Sequence, residues 1–247
     1  MSGRIDKLNA QAISWPAPRA DRAAQEAPAI DTPRDRKYSS IAEDEITKLV
    51  HRVFILPGAA KAPQVVAFCG VDEGAGCSWV CARTSEALAS QTGGTVCAVD
   101  ANLRSPSLDA HFRIEGGAGF ANAMKGSQTT SELARNVLPD KLWVLPAGAE
   151  SESSGHLNPD RLRQKFSQLR DDFDYILIDT PPAESSADAL LLGQVADGVV
   201  LVVGSDLTRR ESARIAKESF EGAGIPVIGA VLNKRTYPIP EALYRIL

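Results

Sequence analysis

Val65 Val66 Ala67 Phe68 Cys69 Gly70, continued by Val71 Asp72 Glu73 Gly74 Ala75 Gly76 Cys77 Ser78, decides the fold of this chain. The unbroken apolar run reads as a buried strand, and it gives way to a glycine-rich turn that opens a helix. Such a turn binds phosphate. Gly74 and Gly76 let the backbone curl until successive N–H groups point inward, while the helix beginning near Cys77 adds the positive end of its dipole. Ser78 stands where a magnesium-binding hydroxyl is expected, so Gly74, Ala75, Gly76, Cys77 and Ser78 are the candidate nucleotide-binding residues. The lysine that reaches the outer phosphates in such turns belongs at position 77, and that residue is cysteine. The geometry of a nucleotide site is written here without its main fixed cation, and the neighbouring Asp72 and Glu73 deepen the deficit.

At 247 residues with 44% hydrophobic content, the chain can bury one substantial core, so one domain plus a tail is the simplest organisation. A net charge of −4 argues against a protein that coats nucleic acid. The N-terminus shows no basic stretch leading into an apolar one, and no run approaches the roughly 18 apolar residues needed to cross a bilayer. Direct membrane insertion is therefore not expected, and membrane association would come through a partner.

The four cysteines, Cys69, Cys77, Cys81 and Cys97, lack the spaced pattern of a zinc site and read as reduced cytosolic thiols. Two sharper readings apply to them. Cys77 and Cys81, one helical turn apart, could form half a metal site. Cys77 at a helix N-terminus could be reactive through a depressed pKa. The plainer reading is a small polarizable filler in place of lysine.

Residues 1–40 are rich in Ala, Pro, Arg and Asp without a sustained period, and they read as a disordered N-terminal tail. From Ile41 to Leu56 the spacing of Ile46, Leu49, Val50 and Val53 predicts a helix, closed by Pro57 and Gly58. Strand and helix patterns then alternate. Strands are expected at Thr95–Asp100, Leu142–Pro146, Tyr175–Asp179, Gly198–Val203 and Val227–Asn233, and helices from Cys77, from Asn158 and Pro159, over Asp188–Val195 and over Arg209–Glu221. The fold class is therefore α/β, a three-layer arrangement with a mostly parallel central sheet flanked by helices, occupying 41–235 and followed by a tail at 236–247. Ligands of such sheets lie at the carboxyl ends of the strands, where the glycine turn, Asp100, Asp179 and Asn233 can converge.

These motifs in order resemble the bacterial tyrosine kinases of capsule and exopolysaccharide synthesis, a branch of the P-loop ATPases related to the division-positioning and partitioning ATPases. The resemblance covers roughly Glu45 to Asn233. Asp100 Ala101 Asn102 Leu103 Arg104 looks like the family's second acidic motif, with Asn102 in place of its second aspartate, and Ile176 Leu177 Ile178 Asp179 Thr180 Pro181 Pro182 looks like its Walker B strand. The resemblance implies catalytic roles for Asp100, Arg104 and Asp179, magnesium held by Ser78 and Asp179, and contact of Asn233 with adenine. Glu45, Lys48 and His51 match the spacing of a helix that assembles subunits into rings, with both family arginines altered. Only Tyr237 and Tyr244 remain of the terminal tyrosine cluster.

The implied cofactors are ATP or ADP, bound weakly or not at all, and Mg2+. The implied partners are a membrane adaptor of the polysaccharide co-polymerase type and further copies of the chain. The expected function is that of a catalytically impaired, kinase-like regulator or scaffold of exopolysaccharide synthesis or export, cytoplasmic and recruited to the inner face of the membrane by its partner. Two alternatives stand beside it: an active tyrosine autokinase switched on by the adaptor, and a positioning ATPase, which Asp72 disfavours because those relatives carry a lysine there.

Overall fold

The computed structural model describes residues 33–56, 62–126, 128–148, 157–205 and 207–235, with side chains from residue 42. Most of the expected N-terminal tail (1–32) and all of the C-terminal one (236–247), with Tyr237 and Tyr244, lie outside the described residues.

Seven strands form one sheet in the order β3-β4-β2-β5-β1-β6-β7. They are β1 (Val65–Gly70), β2 (Val96–Asp100), β3 (Arg135–Leu138), β4 (Leu142–Leu145), β5 (Tyr175–Thr180), β6 (Gly198–Gly204) and β7 (Val227–Asn233). All pairings are parallel except that of edge strand β3 with β4. Every residue of β1 and β2 is buried, as expected of strands covered on both faces.

The helices are α1 (Pro33–Val50), continued by a π-helical turn His51–Ile55, then α2 (Cys77–Gln91), α3 (Leu108–Phe112), α4 (Phe120–Lys125), α5 (Thr130–Leu133), α6 (Pro159–Asp172), α7 (Asp188–Val195) and α8 (Arg210–Gly222). The first helix thus begins at Pro33, ahead of the expected Ile41. Helix α6 starts as the sequence predicts: Asn158 Oδ1 accepts the Arg161 N–H at 3.0 Å, and Pro159 fills the first turn, where a missing N–H costs nothing.

Alternation along the strands feeds two cores. One face of the sheet packs Phe68, Ala98, Leu177 and Val200 against Val50 and Phe54 of the first helix and Val80 and Leu88 of α2. The opposite face packs Val65, Val99, Ile176 and Leu201 against Phe166 and Leu169 of α6, Leu192 of α7 and Phe220 of α8. Each such large side chain, fully buried, contributes about 1.5–3 kcal/mol, so the two cores hold the strand ends rigidly in place. Because the chain leaves β1 for β2 on one side, while β6 lies on the other, the turn after β1 opens at a crevice where connections diverge.

Candidate functional site

The turn after β1 is a wound backbone with little side-chain support. Gly74 (φ 78°) and Gly76 (φ 82°) both take left-handed conformations, and Gly76 is the residue from which α2 departs. No side chain caps α2 and its first turn carries no acid, so the opening N–H groups of the helix are free to meet an anion. They face a cleft of about 390 Å³ lined by Asp72 to Trp79 on one side and by Asn102, Arg104, His111, Thr180 and Ser185 on the other. The candidate residues Gly74, Ala75, Gly76, Cys77, Ser78 and Arg104 are therefore brought together around one hollow.

The two acidic candidates are neighbours in adjacent strands, with Asp100 of β2 directly opposite Asp179 of β5. Their surroundings differ. Asp100 Oδ2 accepts the N–H groups of Ser107 and Leu108, both at 3.0 Å, and Oδ1 accepts that of Asn102 at 3.3 Å, so this carboxylate anchors the start of α3. Burial still pushes its pKa up to about 6 against those three donors. Asp179 is fully buried and neither of its oxygens has a hydrogen-bond partner. Burial first, and the charge of Asp100 second, push it up to about 7, although Ser78 and Cys77 lie close enough to favour the ionised form without making a bond of ordinary geometry.

An unpaired carboxylate in a dry strand end is costly unless a cation or proton meets it. The donor set fits magnesium: Ser78 offers a hydroxyl at the start of α2, and Asp179 offers oxygens engaged by nothing else. Asp72 adds a third unpartnered buried oxygen, Oδ2, at the rim of the same cleft.

Cys77 begins α2 and lines the cleft. Burial, followed by the charge of Asp179, holds its thiol well above the usual range, which opposes the reactive-thiolate reading. Cys69 is likewise pushed up by burial to about 12. No group of three or more His, Cys, Asp or Glu able to hold a metal occurs among the described residues, so the Cys77–Cys81 half-site finds no completion.

Arg104 is exposed and donates to the Ser185 carbonyl at 3.2 Å across the cleft. Asn233 lies away from the cleft lining. Its Nδ2 donates to the Ala75 carbonyl at 3.0 Å and so fastens the turn to the end of β7. Lys234 follows with a left-handed φ of 59°, its stem against the same turn: a Cβ placed on Gly76 would lie 3.5 Å from Lys234 Cε. The sequence reading did not single out Lys234 or His111. Nothing in their spacing signals either one, because each reaches the cleft or its turn from a separate element.

Farther from the cleft, Lys48 pairs with Glu45 at 2.6 Å on an exposed face of α1, an ordinary intrahelical ion pair. No helix among the described residues is long and apolar enough to cross a membrane.

This chain is similar to the tyrosine-protein kinase CpsD of Streptococcus agalactiae, 29% identical over 178 residues that make up 71% of this chain and 77% of the relative. Among solved structures, the kinase domain of the Escherichia coli tyrosine kinase ETK superposes with a TM-score of 0.71 at 19% identity, covering 90% of this chain and 88% of that one. The septum site-determining protein MinD from Pyrococcus horikoshii, solved with Mg-ADP, superposes with a TM-score of 0.61 at 20% identity, covering 74% and 76%. The fold is thus that of the P-loop ATPases. Residues 64–218, well over half of the chain, match the family described as cellulose biosynthesis protein BcsQ, and the chain belongs to that family.

Proposed function

We propose that this chain is a catalytically impaired, tyrosine-kinase-like P-loop protein that serves as a cytoplasmic regulator or scaffold in the synthesis or export of an exopolysaccharide. The observation that carries the reading is the pairing of an uncapped α2 N-terminus, open to an anion-sized cleft, with neutral Cys77 and acidic Asp72 and Glu73 around it. Phosphoryl transfer depends on placing the nucleotide and neutralising its phosphates. Removing one partner of a desolvated charge pair costs about 2–5 kcal/mol, so a nucleotide is held weakly and turnover falls by several decades.

Ser78 and Asp179 hold magnesium in this reading, and Asp100 and Arg104 border the transferring group. Asn233 acts on the base end of the site by fixing the turn. Membership of a cellulose-synthesis family supports the polysaccharide assignment. The partner is a membrane adaptor of the polysaccharide co-polymerase type, which recruits the domain (41–235) to the inner face of the membrane, with self-association through α1.

The similarity to CpsD favours one second reading, an active autokinase completed by its adaptor. Incubation with magnesium and ATP, followed by phosphotyrosine mass spectrometry, separates the two. The chain alone and the chain with adaptor are both expected to label negligibly. Robust labelling that disappears in Asp179→Ala would replace the regulator with a kinase.

A further inference from the structure

We propose that Lys234 supplies, from the end of β7, the positive charge toward bound nucleotide phosphate that position 77 does not. The inference rests on the nucleotide reading above. It starts from a local anomaly: Lys234 is one of three non-glycine residues among the described ones with a left-handed backbone, at φ 59°. Strain of this kind persists where the surroundings impose it. Here they do. Asn233 is tied to the Ala75 carbonyl at 3.0 Å, so the residue after it must turn back over the P-loop.

Gly76 makes room for that approach. A Cβ there would stand 2.4 Å from Asn233 Nδ2 and 3.5 Å from Lys234 Cε, so the absence of a side chain lets β7 deliver both residues onto the turn, one position before Cys77. The ammonium lies one bond beyond Cε on a flexible, exposed stem, and no carboxylate pairs with it among the described residues. Arg104, the arginine that lines the cleft, is engaged by the Ser185 carbonyl. Position 77 and the unengaged lysine therefore both adjoin Gly76, though they come from opposite ends of the domain's sequence. A phosphate-bearing ligand, a nucleoside di- or triphosphate, is what such a charge would meet.

The test is calorimetric titration of the full chain with Mg-ADP in four forms: wild type, Lys234→Gln, Cys77→Lys and the double variant. Glutamine keeps the stem length and removes the charge. Lys234→Gln is expected to weaken binding about tenfold in the Cys77 chain, with the loss shrinking as salt rises, and to cost less than about threefold once lysine stands at 77. Lys234→Arg should bind as wild type does. Equal losses in both backgrounds, or no loss at all, overturn the proposal. Binding seen only in the Cys77→Lys forms also overturns it while leaving the impaired-cradle reading intact. Absence of binding in every form removes the nucleotide reading itself and this inference with it.

Discussion

Asp197 and Asp179 stand at opposite ends of the sheet and are treated oppositely. Asp197, just before β6, receives Arg170 through two nitrogens at 2.7 and 3.1 Å and the N–H groups of Gln64 and Val65, both at 2.8 Å. Partial burial pushes its pKa up, but Arg170 and the two backbone donors outweigh that and hold it below the usual carboxylate range. Asp179, at the end of β5, is more deeply buried, and neither of its oxygens has a hydrogen-bond partner. At the amino end of the sheet Asp197 is therefore finished as structure, both of its oxygens answered from within the chain. The carboxyl end is left unfinished around a cleft. That contrast locates the ligand end of the fold independently of any motif.

The comparison can be broken most sharply by removing each carboxylate. Asp197→Ala is expected to destabilise the fold by about 2 kcal/mol, a figure already reduced because both partners are about one-third exposed. Asp179→Asn should leave stability unchanged or raise it, since it deletes an uncompensated buried charge, while magnesium-dependent nucleotide binding is lost. Denaturant unfolding of both variants decides. A large loss of stability in Asp179→Asn would show that the carboxylate is a structural group after all.

The glycines of the turn provide a second, smaller contrast. Gly76→Ala combines a left-handed φ with a Cβ only 2.4 Å from Asn233 Nδ2, and it should cost about 2 kcal/mol and release the turn from β7. Gly74→Ala meets open space and should cost about 1 kcal/mol from backbone strain alone. Equal costs, measured by thermal unfolding, would mean that Asn233 does not hold the turn.

The two ends of the sheet should also part company with pH. Asp179, raised to about 7, and Asp100, raised to about 6, each keep in the folded state a proton that the unfolded chain releases near pH 4. The folded state therefore binds more protons between about pH 4 and 7, and its stability falls as pH rises through that window. The ligand-free chain should be more stable near pH 5 than near pH 8, by roughly 4 kcal/mol with about two-thirds of it from Asp179, so Asp179→Asn should remove most of the slope. Asp197 works the other way, since its contribution is lost as pH falls through its depressed pKa. A profile that rises from pH 5 to 8 would mean that Asp179 has a cationic neighbour.

Long periodic elements were legible without coordinates. The β1 strand, the glycine turn, α2, the Asn158–Pro159 start of α6 and the strand-end positions of Asp100 and Asp179 all follow from local pattern, because each is a property of a few adjacent residues. Helices α3, α4 and α5 are four to six residues long, too short to display a period, and antiparallel β3 is a four-residue edge. At the site, the residue types were readable but their employment was not. That Asp100 is engaged by Ser107 and Leu108, that Asn233 holds a carbonyl of the turn, and that Lys234 reaches Gly76 are facts of long-range packing. The match of residues 64–218 to the cellulose biosynthesis family was likewise not read from the motifs.

The central claim is that the cradle after β1 keeps its shape and its magnesium residues while its fixed charge at position 77 is gone. Titration of Mg-ATP into the wild-type chain and into Cys77→Lys tests it most directly. A gain in affinity of about tenfold or more in the lysine form is predicted. Equal affinities, or tight binding by the wild type with no gain, would contradict it.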